Sequence, residues 1–176
     1  TKDLSYTELS KEININTGEL EFSIEAYQGI KGDKEFSPKL LVKSKVLYER
    51  LPELFKILKS ILTASRFEDR KRLFELIKEI KSNLEDRIFD RGDAVAFKRL
   101  LSYFSPAGMY MEVTTGISYY KFISKLEKNF DTDWNNILQN LKKVFDLAVC
   151  RNNLIASITC EEKKFTDFEK NLDILT

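Results

Sequence analysis

The sequence predicts an α+β fold: helices packed on one face of a mostly antiparallel sheet. Two period-two stretches near the start are followed by several amphipathic helices. A short β-prone run, Leu154-Ile-Ala-Ser-Ile158, comes after them, and a further helix begins near Phe165. Strands and helices segregated along the chain in this way point to α+β and not to alternating βαβ units.

The order of elements follows from local patterns. Leu4 to Ile15 is mixed and short, and is expected to form a helical turn ahead of the first strand. Leu20, Phe22, Ile24 and Ala26 alternate with Glu19, Glu21, Ser23 and Glu25, so one face of a strand is buried and the other is wet. A polar connection, Gly29 to Pro38, leads to a second alternating run from Lys39 to Tyr48. Pro52 sits at a helix start, where its missing N–H costs little. Leu51, Leu54, Phe55, Leu58, Ile61 and Leu62 then keep three- and four-residue spacing. A longer helix runs to about Arg91, with Leu73, Ile77, Ile80, Leu84 and Ile88 on one stripe. Its charged face alternates in sign, the pattern of a solvated helix with i,i+4 pairs.

Gly92-Asp93 interrupts that helix, and the stripe resumes through Ala94, Phe97, Leu100 and Leu101. The stretch Leu101–Phe122 is nearly free of charge, with only Glu112 and Lys121, yet it holds Tyr103, Tyr110, Tyr119 and Tyr120. Such a gap between charge-laced helices is a packed joint or a contact surface. Tyrosine suits both, because its ring packs while its hydroxyl needs a partner. Ser105 is expected to cap a helix begun by Pro106, and Gly116 to end it. Asp131-Thr132-Asp133 supplies caps for the next helix, whose stripe is Trp134, Ile137, Leu138, Leu141, Val144, Phe145 and Ala148. Asn152-Asn153 is a turn, and Leu154–Ile158 reads as a central strand.

Composition narrows the function. With 29 basic and 28 acidic residues the net charge is +1, which gives no footprint for nucleic acid or a charged membrane surface. No apolar run approaches the roughly 18–20 residues that span a bilayer. The chain has no histidine, so Ser-His and Cys-His nucleophile pairs are excluded and the commonest zinc ligand is missing. Cys150 and Cys160 have no metal-type spacing and fit free thiols in a reducing cytosol. Asp131 and Asp133 read as caps rather than a catalytic carboxylate pair. Arg91-Gly92-Asp93 reads as a helix interruption rather than an adhesion tag. No catalytic or metal-binding residue is assigned. The four tyrosines of Leu101–Phe122 are the candidate peptide or inter-domain contacts, with packing as the alternative.

Three segments carry a resemblance. They are Leu51-Pro-Glu-Leu-Phe-Lys-Ile-Leu58, the run from Phe67 to Leu84, and Ser102-Tyr-Phe-Ser-Pro-Ala-Gly-Met-Tyr110 followed by Gly116-Ile-Ser-Tyr-Tyr-Lys-Phe122. In this order they resemble the presequence-protease branch of the insulinase-type zinc metallopeptidases (peptidase family M16, subfamily C). Within that branch they resemble the associated domain that opens the carboxyl-terminal half. Leu9 to Leu20 resembles the entry into that half. The resemblance implies a non-catalytic α+β domain, residues 1–176, excised from a longer bacterial cytoplasmic peptidase. It implies a clamshell that encloses unfolded peptides and a zinc ion held elsewhere in the parent by a His-x-x-Glu-His motif, with no cofactor in this chain. Its partners would be the other domains of the same polypeptide and the peptide substrate, with no nucleic acid and no membrane. Many relatives carry Gly-His where this chain has Gly92-Asp93, so any role of that histidine is lost or altered here. The alternative is a stand-alone interaction module that uses Leu101–Phe122.

Overall fold

Among the described residues helix accounts for most of the fold, and one pair of strands supplies the sheet. The computed structural model describes residues 1–28, 36–150 and 154–175. The elements are α1 (Tyr6–Asn16), β1 (Glu19–Gln28), β2 (Phe36–Lys45), α2 (Leu51–Ala64), α3 (Arg70–Asp90), α4 (Gly92–Leu101), α5 (Pro106–Thr115), α6 (Ile117–Lys128), α7 (Trp134–Ala148) and α8 (Phe165–Leu172). Short 3₁₀ turns at Tyr48–Arg50 and Glu162–Lys164 precede α2 and α8. The α+β class holds. The residues cluster into two compact units: Thr1–Ser23, Leu40–Arg66 and Lys143–Thr176 form the first, and Ile24–Lys39 with Phe67–Lys142 the second.

In the first unit, α1 is a full three-turn helix where the sequence pattern predicts a single turn. Ser5 and Glu8 make a reciprocal capping box: Ser5 Oγ accepts from the Glu8 N–H at 3.3 Å, and Glu8 Oε2 accepts from the Ser5 N–H at 2.9 Å. Two orphan donors are thereby satisfied in the first turn. The Ser5 hydroxyl, donating to Glu8 Oε2 at 2.7 Å, and then the Ser5 N–H hold the Glu8 carboxyl below its ordinary range. The core of this unit is Leu51, Leu54, Phe55 and Leu58 of α2. Leu20, Val42 and Val46 pack on it from the hairpin side, and Phe168, Leu172, Ile174 and Leu175 from α8 and its C-terminal turn. Phe55 meets Phe168 edge-on, with centroids 5.7 Å apart, a favoured arrangement for aromatic pairs.

The β-prone run from Leu154 is not a central strand. Residues 154–160 carry neither helix nor ladder, and the sheet of the described residues has two strands, β1 and β2. A strand is defined by its hydrogen-bonded neighbour, and here the run has none, so propensity alone does not make one. Tyr48 also leaves the second strand and enters the 3₁₀ turn. Most of the Gly29–Pro38 connection, residues 29–35, and the Asn152-Asn153 turn lie outside the described residues.

The Tyr48 hydroxyl donates to Asp167 Oδ2, joining the turn before α2 to α8. This bond raises the Tyr48 pKa above its ordinary 10.0 and lowers that of Asp167 below its ordinary 3.8. The signs set a window. The tyrosine contributes stability below about pH 10 and loses it as pH rises through its raised folded value. The aspartate contributes above about pH 4 and loses it as pH falls through its lowered one. Tyr48→Phe is therefore expected to lower the melting temperature by a constant amount between about pH 5 and 9. The gap between variant and wild type should narrow as pH falls through the lowered Asp167 value, as followed by thermal melts across pH.

The second unit is built on α3. Asp69 caps it by accepting from the Arg72 N–H at 2.9 Å. Ile77 and Leu84 of α3, Ile123 of α6, Phe130 in the α6–α7 turn and Ile137 of α7 form its core. Lys81 ties α3 to α6 by donating to Glu127 Oε2 at 2.7 Å, and this bond raises the lysine pKa. The break between α3 and α4 falls at Arg91, whose φ of −131° and ψ of 46° leave the helical region. A Cβ on Gly92 would meet nothing within 4 Å, so Gly92 is not there for close packing. The Asp131 carboxylate is engaged by Arg70 at 2.6 Å, so its observed partner is a guanidinium on α3.

Candidate functional site: the corner of α4, α5 and α6

Leu101–Phe122 folds as the corner between three helices of the second unit. Leu101 ends α4, and a turn through Tyr103 and Phe104 leads to Ser105. Ser105 Oγ accepts from the Gly108 N–H at 3.0 Å, and Pro106 opens α5, as the sequence predicts. A Cβ on Gly108 would strike the Leu101 carbonyl, with Leu101 C only 2.8 Å away. The glycine is what lets the first turn of α5 press against the end of α4. Gly116 is at once the C-cap of α5 and the N-cap of α6.

The corner closes on one carboxylate. Glu112 is 0% exposed, the most enclosed large side chain among the described residues. Its Oε1 accepts from the Ser118 N–H at 3.0 Å, the Ser118 hydroxyl at 2.9 Å and Arg99 Nη1 at 3.3 Å. Arg99 on α4, Glu112 on α5 and Ser118 on α6 are thus drawn together. The bond to Ser118 N satisfies an orphan donor in the first turn of α6, where a negative charge is favoured. Glu112 Oε2 has no hydrogen-bond partner. It occupies the space that a Cβ on Gly116 would need. Enclosed and tied to its neighbours in this way, the carboxylate staples α4, α5 and α6 together.

The four candidate tyrosines have different surroundings. Tyr119 and Tyr120 pack against the core of the second unit. Burial raises the Tyr119 pKa, and the Tyr120 hydroxyl donates to Glu85 Oε1 on α3 at 3.0 Å. Tyr110 is half-buried on α5. Tyr103 stands 70% exposed, with the Arg99 guanidinium 5.5 Å from its ring centroid. Beside it Phe104 is 77% exposed, and Phe97 and Leu100 of α4 are exposed as well. Of the four, Tyr103 at the end of α4 is therefore the exposed one, whereas Tyr119 and Tyr120 are packed on the core.

Glu112 escapes a reading of the sequence alone. The available signal is a lone acid in a charge-poor stretch, with a glycine four positions on and a helix-start serine six positions on.

Among the described residues no three of His, Cys, Asp and Glu form a metal-holding group. The thiols of Cys150 and Cys160 are free and exposed, and the enclosed Glu112 carboxylate is committed to Ser118 and Arg99. No helix among the described residues is long and apolar enough to cross a membrane.

Comparison with known proteins places this corner in a family. The chain is similar to protein HypA of Clostridium perfringens, 31% identical over 175 residues, which is 99% of this chain and 18% of the relative. It is similar to presequence protease 1, chloroplastic/mitochondrial, of Arabidopsis thaliana, 29% identical over 98% of this chain and 16% of that protein. The mitochondrial presequence protease of Drosophila melanogaster is 24% identical over 99% of this chain and 17% of its own length. The chain thus spans less than a fifth of each of these relatives. Residues 1–126, from α1 through most of α6 and so including the whole corner, match the family of domains associated with peptidases of family M16, subfamily C, and the chain belongs to that family.

Proposed function

We propose that this chain is a non-catalytic domain of a zinc-dependent peptidase, packed against other domains of the same polypeptide and helping to enclose unfolded peptide substrates. The observation that carries this reading is similarity to presequence proteases over 98–99% of the chain by a segment that spans 16–17% of their length. With no histidine in this chain, the His-x-x-Glu-His zinc site that belongs to this reading lies elsewhere in the parent. A chamber wall needs a stable fold and an inner face, not a nucleophile. It acts through positioning of the substrate and exclusion of water. A bacterial cytoplasmic location belongs to the same reading; the similarity to the clostridial protein supports its bacterial part.

The test compares the chain with its full-length parent. The metal-depleted chain is expected to take up no stoichiometric zinc and to cleave no peptide. The parent is expected to cleave an unfolded peptide and to stop when chelated. Tight zinc binding by the chain, or a parent without peptidase activity, overturns the reading. Within the parent, Tyr103→Ala is expected to impair peptide turnover several-fold at unchanged melting temperature. Tyr120→Phe, which removes the bond to Glu85, should leave turnover in the folded fraction intact.

A stand-alone interaction module is the second reading, favoured by the exposed rings of Tyr103 and Phe104. A gene that encodes this domain alone, with no upstream His-x-x-Glu-His segment, decides for it.

A further inference from the structure

Where α3 hands over to α4, a recess of about 290 Å³ is lined by Arg87, Arg91, Ala94, Val95 and Lys98. Arg87 and Arg91 stand one turn apart at the end of α3. Lys98 stands one turn beyond Ala94 on α4. The recess therefore has a cationic rim and a small apolar remainder, and all of it belongs to the second unit.

These cations are short of counter-charge. Among the described residues Arg87 makes no ion pair, although Asp86 and Asp90 lie within three positions of it. Lys98 is half-buried and donates to the neutral Thr115 hydroxyl at 3.0 Å, and it meets no carboxylate among the described residues. Arg91 has Asp93, but at 3.6 Å and with the two side chains 67% and 79% exposed, a pair of the kind that contributes little. Elsewhere on α3 the basic residues are answered: Arg72 has Glu75, and Lys81 has Glu85 and Glu127. The helix dipole favours an arginine at the end of α3, but it does not gather three cations around one recess. Like charges held together there repel, and an anion among them relieves the repulsion and gains charge-assisted hydrogen bonds.

We propose that this recess binds an oxyanion, with the guanidiniums of Arg87 and Arg91 and the Lys98 ammonium as donors. Ala94 and Val95 favour an anion carried on a short apolar stem, which describes a peptide carboxylate better than free phosphate. The volume, near the lower end of the roughly 300–1,000 Å³ of small-ligand sites, suits one terminal residue or one acidic side chain. The peptide source rests on the proposed function, whereas anion binding itself does not.

The test is isothermal titration calorimetry of the full-length protein at low salt, with N-acetylalanine, its amide and inorganic phosphate as probes. N-acetylalanine is expected to bind with a millimolar dissociation constant, and the amide, which lacks the charge, not to bind. Binding should weaken several-fold as sodium chloride is raised to about 0.15 M. Arg87→Gln, which breaks no ion pair, should weaken it several-fold, and Arg87→Gln with Lys98→Gln about tenfold or more. Lys56→Gln with Lys59→Gln removes the same charge at exposed positions on α2 and should leave binding unchanged. Equal binding of acid and amide, or equal weakening by the two double variants, overturns the proposal. Binding that survives the loss of Arg87 and Lys98 overturns it as well, and so does a wild-type protein that binds neither anion. Phosphate binding without N-acetylalanine binding overturns the peptide source in favour of a free anion. Peptidase activity measured on the same sample keeps the two readings apart. No turnover with charge-dependent binding intact sinks the function and leaves the site, and turnover without such binding sinks the site alone.

Discussion

Glu112→Ala is expected to destabilise the 176-residue chain by about 3 kcal/mol, read by chemical denaturation. The substitution removes the acceptor of the Ser118 N–H, the Ser118 hydroxyl and Arg99 in one step. Losing a helix-cap acceptor costs about 0.5–2 kcal/mol, and a hydrogen bond to a charged group contributes about 1.5–3. Arg99 is 46% exposed at its side chain, so its charge returns to water and the penalty stays below that of a fully buried orphan charge. Glu112→Gln keeps an oxygen for Ser118 but weakens the Arg99 contact and leaves an amide in the enclosed corner, so it should fall between wild type and alanine. Gly116→Ala reaches the same corner from the other side. Its Cβ overlaps Glu112 Oε2 and comes within 2.8 Å of the Glu112 carbonyl, so the carboxylate has to leave. The two changes share one space, and their effects should not add. A double variant less destabilised than the sum of the singles by about 1 kcal/mol or more confirms the coupling, and simple additivity refutes it.

This corner also marks how far the sequence can be read. Ser105-Pro106 is legible because capping and helix initiation depend on residue types at fixed offsets. So is α2, where the 3.6-residue period of Leu51, Leu54, Phe55 and Leu58 coincides with its buried face. The Glu112 staple is not, because it joins residues 13 and 6 positions away through a bend that no local pattern fixes. The tyrosines show the same division. Tyr119 and Tyr120 pack on the core from within α6, whereas the exposure of Tyr103 depends on where α4 stops. Leu154–Ile158 misleads for another reason: its composition suits a strand, but a ladder needs a neighbour, and composition says nothing about one. The Ser5–Glu8 box stands in plain view as Ser-x-x-Glu, yet the weak apolar pattern of Leu4–Ile15 outweighs it.

Phe130→Ala is expected to cost about 3–5 kcal/mol, the usual range for emptying a buried phenylalanine site. Phe130 is 2% exposed and sits where α6 hands over to α7. Its ring lies 4.8 Å from that of Phe74 on α3 and 5.5 Å from that of Trp134 on α7. Trp134 in turn carries the Arg70 guanidinium 5.7 Å from its centroid, and Arg70 holds Asp131. The cavity would therefore open among three elements whose mutual fit runs through this one ring, which leaves little room for collapse. Phe130→Leu retains much of the volume and should cost about half as much or less. Phe104→Ala is the informative control. With its side chain 77% exposed, it should change the stability of this chain by no more than about 0.5 kcal/mol. If the end of α4 meets another domain in the full-length protein, the same Phe104→Ala should become destabilising there, while Phe130→Ala costs much the same in both settings. Equal, near-zero effects of Phe104→Ala in chain and full-length protein would remove the end of α4 from the list of inter-domain contacts.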